Sequence, residues 1–142
     1  MSRTGLPAFD ATIDKTNHVL LEIEEAYRWP ADRRAQAYAG LRAVLHALRD
    51  RLPVEESADL AAQLPMLLRG VYFEGWKPSK VPLKMSREEF LQRIRAELTY
   101  DIEGTTERFV NVVVQALRHF ITDGEWQDVT SSLPKDLAAV LT

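Results

Sequence analysis

The sequence predicts an all-α protein of about eight helices, arranged as two similar four-helix halves. Three observations carry that expectation. Apolar residues recur at helical spacing, and no stretch alternates with period two over a strand's length. Residues 41–71 return without a gap as residues 110–140, an offset of 69. A Leu-Pro pair, Leu64-Pro65 and Leu133-Pro134, sits at the same place in both copies.

The repeat can be checked pair by pair. Ala47-Leu48-Arg49 falls on Ala116-Leu117-Arg118, Glu56 on Glu125, Asp59 on Asp128, Leu68 on Leu137 and Val71 on Val140. With Val44/Val113 and the Leu-Pro pairs, 10 of 31 pairs are identical. Two amphipathic helices share aliphatic spacing by chance, but not two Leu-Pro pairs in register. Self-similarity at a long fixed period marks a structural unit used more than once. Two copies predict a pseudo-twofold pair within one domain over 1–142: repeat one about 9–73, a linker 74–85 and repeat two about 86–142.

A first helix should begin near Pro7 or Asp10. Phe9, Ile13, Leu20, Ile23 and Tyr27 then share one face with Thr16, and Asp14, Lys15, Glu22, Glu24 and Glu25 share the other. Trp29-Pro30 stops it, because the residue before a proline is pushed out of the helical region. A second helix over about 31–51 carries Tyr38, Leu41, Val44, Leu45, Leu48 and Leu52 as its apolar stripe. Arg33, Arg34, Arg42 and Arg49 are expected to be mostly solvated.

Leu52-Pro53 opens a short helix whose early Glu55 and Glu56 suit the positive end of the helix dipole. Leu64-Pro65 turns the corner into another helix ending near Phe73, with the proline where no N–H is needed. Residues 74–85 hold Gly75, Pro78, Pro82 and three lysines, and read as a connection. Ser86 and Glu89 form a capping box ahead of a helix that buries Phe90, Ile94 and Leu98. Gly104-Thr105 precedes a helix over 109–121. Val112-Val113-Val114 favours strands intrinsically but sits inside this longer helical pattern. Thr122 and Glu125 read as a second capping box, followed by Trp126, Val129, Leu133-Pro134 and a last helix to Leu141.

Composition bounds the function. A chain of 142 residues is long enough to bury a core unaided. A net charge of -3 gives no electrostatic footprint for nucleic acid or anionic membrane. There is no cysteine, which removes disulfides, thiolate catalysis and thiolate metal ligands. No apolar run approaches a membrane span of roughly 18 residues. The polar N-terminus lacks an apolar signal core, so a cytoplasmic location is expected.

Residues 41–76, LRAVLHALRDRLPVEESADLAAQLPMLLRGVYFEGW, with a shorter acidic Leu-Pro copy after the linker, resemble the bacterial "domain of unknown function 2267" family. The resemblance runs from about residue 9 to 141, strongest over 41–76. It implies a helical, cytoplasmic bacterial protein without an established activity, and it supplies no catalytic residues.

No catalytic, cofactor or metal constellation emerges from the residues. His46 lies four before Asp50 and His18 four before Glu22, one helical face each. A carboxylate-bridged bundle site would need Glu three residues before His, and Lys15, Ala43 and Ala116 stand there. The histidines therefore read as surface residues in weak pairs. There is no Gly-x-Ser-x-Gly elbow and no glycine cluster to cradle phosphate. Glu55-Glu56 and Glu24-Glu25 are adjacent carboxylates on different faces and read as solvated charges. The segment 66–73, with one arginine among apolar groups, is a poor DNA-reading helix.

Tyr72, Phe73 and Trp76 crowd the exit of the first repeat. Large aromatics there either close the core or form a patch for another chain. The core reading is stronger for Tyr72 and Phe73; for Trp76, beside Gly75 and Pro78, the two are even. The leading expectation is a non-enzymatic interaction module with a protein partner or a second copy, no cofactor, no nucleic acid and no membrane. The alternative is a small-ligand-binding protein or enzyme with an apolar pocket between the repeats, lined by Tyr72, Phe73 and Trp76.

Overall fold

Proline and capping residues set most helix boundaries in the computed structural model, which describes residues 4–98 and 100–142. Residues 1–3 and Thr99, part of the expected 1–142 domain, lie outside the described residues. Helix α1 is Pro7–Tyr27, with its proline in the first turn. It ends at Arg28 in the left-handed region, φ 56 and ψ 37, where the amides of Arg28 and Trp29 return to the carbonyls of Glu25 and Glu24. A 3-10 turn at Ala31–Arg33 leads into α2, Arg34–Arg51. Helices α3, Val54–Gln63, and α4, Met66–Phe73, follow.

After the linker, α5 is Arg87–Glu97 and starts with the expected Ser86/Glu89 capping box, both hydrogen bonds present. Helix α6, Thr106–Leu117, contains the three consecutive valines and ends in a 3-10 turn at Arg118–Phe120. Helices α7, Asp123–Ser131, and α8, Lys135–Val140, complete the chain. Among the described residues all regular structure is helical, and no helix is long and apolar enough to cross a membrane.

Two pairs of helix starts keep the offset of the repeat written in the sequence. Helices α3 and α7 start at 54 and 123, and α4 and α8 at 66 and 135, both 69 apart. The corner prolines share a backbone: Pro65 has φ -54 and ψ 149, Pro134 φ -56 and ψ 149. Leu64 and Leu133 are buried at these corners, in the same apolar cluster as Leu48 and Leu117.

Packing follows an exchange pattern. Helix α1 packs on α2, α4 and α6; α5 packs on α6, α8 and α2. Helix α2 packs on α4 as α6 does on α8, and α3 on α4 as α7 does on α8. These helix pairings recur when α1–α4 are exchanged for α5–α8. Two position pairs 69 apart meet at these crossings, Gly40 with Phe109 where α2 crosses α6 and Glu56 with Glu125 where α3 crosses α7.

Several expectations about individual faces need correction. Phe9 and Tyr38 were placed on apolar stripes but are exposed. Phe9 lies in the first turn of α1, where fewer neighbours cover it, and Tyr38 stands on the side of α2 opposite its core. Glu24, expected in solvent, is buried and accepts from Arg34 Nη2 at 2.8 Å. Arg49 and Asp50 are each 6% exposed. Their helix, α2, packs on α1, α4, α5 and α6, and its second half, residues 43–50, is buried on every side.

Candidate functional site

Tyr72 on α4 is fully enclosed, so it belongs to no surface patch. Its hydroxyl shares a 2.8 Å hydrogen bond with Ser57 Oγ on α3, and burial raises its pKa. Phe73 meets it edge-on at 5.1 Å and Trp76 tilts against Phe73 at 4.8 Å. These two rings stay partly exposed. Tyr72 is thus part of the core, while Phe73 and Trp76 sit at its margin. The aromatic cluster closes the end of α4.

Beneath that helix lies a polar network that the sequence left in solvent. The C-terminal carbonyls of a helix lack partners within it. Here α2 supplies them from its own side chains. His46 Nε2–H donates to Val71 O at 2.7 Å, and Arg49 donates to Tyr72 O at 3.2 Å and Glu74 O at 2.6 Å. Asp50 accepts from Arg49 Nε at 2.8 Å and from Arg93 on α5. Burial lowers the pKa of His46 and opposes its protonation, with the Val71 hydrogen bond acting against that. His46 is thus a buried structural donor, not the surface residue expected. His18 and His119 are exposed, and both approach Glu22.

A second aromatic group went unnoticed in the sequence because its members are far apart. Tyr27 stacks on Trp29 at 4.9 Å, Tyr100 meets Trp29 edge-on at 6.2 Å and Phe109 meets Tyr27 at 5.8 Å. Trp29 Nε1–H donates to Glu103 Oε2, and Arg33 lies over the Trp29 ring at 4.3 Å. The proline after Trp29 marked the helix end but carried no sign of what the ring would meet.

Exposed apolar groups collect instead at the first turns of α1 and α4. Leu6 is 52% exposed, Phe9 46%, Met66 52% and Leu67 44%. The two turns are tied together: Thr12 Oγ1, one turn after Phe9, accepts from the Leu67 amide at 2.8 Å. Beside them runs an open groove of about 340 Å³ whose walls include Ala8, Ala11, Pro65, Met66 and Phe120. Lys15 and Arg69 border it, but Arg69 is spent on the carbonyls of Ala61, Ala62 and Leu64.

Carboxylates gather where α3 meets α7. Oxygens of Glu56, Asp59 and Glu125 lie within 4.8 Å of one another, the residues placed closely enough to share a cation. Glu56, read from the sequence as solvated, is only partly exposed and has a buried Oε2.

A family model described as "Uncharacterized conserved protein (DUF2267)" matches residues 16–140. No curated protein matches the chain.

Proposed function

The chain belongs to this uncharacterised family, DUF2267, and from that premise we propose that it is a non-enzymatic helical interaction module that docks on protein, a second copy of itself included. The observation that carries this reading is the set of Leu6, Phe9, Met66 and Leu67, four large apolar side chains about half exposed on two neighbouring helix starts. Covering such groups removes apolar area from water at about 25 cal/mol per Å². Apolar patches on the surface of a soluble chain mark interaction sites when they are contiguous. The Leu67 amide bonded to Thr12 Oγ1 ties the two helix starts together, so a partner would meet a preformed surface.

Phe73 and Trp76, at and just past the end of α4, are partly exposed and extend the same reading, while Tyr72 serves the core. The test is sedimentation velocity and light scattering over a wide concentration range, on the wild type and on Phe9→Ser/Leu67→Ser. A concentration-dependent mass that the double variant loses, with its melting unchanged, supports self-association through this face. A monomer at every concentration, with no partner retained from native lysate that the double variant fails to retain, overturns the interaction reading.

A further inference from the structure

The meeting of Glu56 and Glu125 is the least expected contact in the molecule. They are the same position of the written repeat, 69 residues apart, and they face each other where α3 crosses α7. Two ionised carboxylates at that separation repel, and among the described residues the charges acting on Glu125 are all acidic. The groups facing them are Asp59 from α3 and Asp128 from α7, both acidic. Helix α4 contributes the Tyr72 hydroxyl, already bonded to Ser57, and Arg69, held on carbonyls. Arg118, before α7, is bonded to Asp123. Lys135 and Asp136, at the start of α8, are exposed.

Local structure also shows Glu125 withdrawn from its ordinary task. At the third position of α7 after the Thr122 cap, a glutamate normally accepts from the cap residue's amide. Thr122 Oγ1 does accept from the Glu125 amide, at 3.1 Å. The reciprocal bond is missing: the Thr122 amide donates 2.8 Å to Oε1 of Gln63, the last residue of α3. Half of the expected capping box is therefore supplied by the opposite helix, and the Glu125 carboxyl is released toward Glu56. One oxygen of each, Glu56 Oε2 and Glu125 Oε2, is buried without a donor. A carboxylate offers only acceptors, whereas a carboxylic acid carries one O–H donor.

We propose that Glu56 and Glu125 share one proton across the α3–α7 contact, and that this proton is the clasp holding the two halves together at that crossing. One proton converts two repelling acceptors into a donor and an acceptor, a charge-assisted hydrogen bond of the stronger kind. Burial first, then the hydrogen bond and charge of Glu56, then Asp59 and Asp128, push the Glu125 pKa up to about 8 from an ordinary 4.5. The clasp is therefore closed at neutral pH and opens under mildly alkaline conditions. This inference is independent of the interaction reading, because neither uses the other's residues.

The test compares the full chain with Glu125→Gln and Glu56→Gln, each an uncharged mimic of the protonated acid. At pH 5 wild type and variants should melt together to within a few degrees. As pH rises to 9 the wild type should fall progressively below both variants. A wild-type-to-variant gap that does not change with pH overturns the proposal. A carbon-13 titration of the side-chain carboxyls in wild type needs no variant: Glu125 should titrate well above the ordinary glutamate range, and a midpoint near 4.5 overturns it. Millimolar Ca²⁺ or Mg²⁺ added at pH 6 provides the third arm. No change in melting is expected, whereas a gain that Glu125→Gln abolishes would assign the gap to a metal ion and overturn the shared proton.

Discussion

The ring of Phe109 fills the space that Gly40 leaves empty where α2 crosses α6. A β carbon built on Gly40 would stand 2.6 Å from Phe109 Cε2 and nearer still to Cζ. These two residues, like Glu56 and Glu125, are 69 apart. At such a crossing each residue meets its own counterpart, so identical bulky residues would collide and identical small ones would leave a void. Glycine against phenylalanine resolves that by making the pair unequal. Position pairs away from the crossing show the same compensation. Ser57 and Tyr72 share a hydrogen bond in the first half; their counterparts, Trp126 and Leu141, exchange small for large and bond from Trp126 Nε1 to Leu141 O at 3.2 Å.

Gly40→Ala should therefore destabilise by about 1–3 kcal/mol, the usual cost of overpacking, even though alanine is the better helix former. Phe109→Leu should lower stability on its own by leaving a cavity. Combined with Gly40→Ala it should cost less than the sum of the two. Urea denaturation of the two single variants and the double variant measures that coupling; strict additivity would show that the ring and the glycine do not constrain each other.

The corner leucines test a simpler claim. Leu64 and Leu133 are both buried behind prolines of nearly equal backbone geometry. Leu64→Ala and Leu133→Ala should each cost on the order of 2–5 kcal/mol, a large share of the roughly 5–15 kcal/mol that holds such a domain together. Trp76→Ala should cost less than either, because its ring rests on Phe73 with one side open. Thermal melts order the three; a Trp76 variant that melts as early as the leucine variants would place that ring in the core.

His46 gives a pH dependence of defined sign. Its folded pKa is lowered, mainly by burial, so below the unfolded value near 6.5 the unfolded chain binds the proton more readily. Stability from this group is complete above that value and is lost as pH falls through it. Melting temperatures of wild type between pH 7.5 and 5 should decline more steeply than those of His46→Gln. Equal slopes would mean that the ring titrates as freely in the folded protein as in the unfolded chain. The Glu125 clasp runs the other way over an overlapping range: its contribution is lost as pH rises from the ordinary carboxyl value through about 8.

What the residues revealed and what they hid divide along a physical line. The Leu-Pro corners, the Ser86/Glu89 cap and several helix starts are written in a few adjacent residues and appear where local chemistry put them. The helix expected over 109–121 instead runs Thr106–Leu117, because Thr105 caps it through the Arg108 amide. The roles of His46, Arg49 and Asp50 were hidden because a helical stripe assumes one wet face. Helix α2 has none along its second half, and its polar residues end under the carbonyls of α4. The Thr122/Glu125 box was half right for the same reason: Gln63, a residue 59 positions away, took the second bond. Local pattern fixes which residues start a helix, and tertiary competition decides which partner each polar group keeps. The candidate surface was less visible still. Met66 and Leu67 belong to an apolar segment whose exposed members the sequence pattern does not mark, and they end half exposed beside the start of α1.

Asp50 tests how that buried polar network is held. It accepts from Arg49, itself 6% exposed, and from Arg93, whose side chain is about one-third open to water. Removing one partner of a buried ion pair leaves the other charge desolvated, at about 3–5 kcal/mol. Asp50→Ala should approach that figure, because Arg49 keeps only carbonyl partners and cannot reach solvent. Arg93→Ala should cost markedly less, since Asp50 still holds Arg49 and the lost guanidinium was already partly hydrated. Replacing Arg49 itself removes the donors to Tyr72 O and Glu74 O as well, so Arg49→Met should loosen the end of α4 beyond its effect on overall stability. Hydrogen exchange at the amides of residues 71–76 reads that local opening, while chemical denaturation reads the global cost. If Arg93→Ala proves as damaging as Asp50→Ala, the network is held by its outer arginine, and Arg49 and Asp50 are a poorer anchor for α4 than their burial implies.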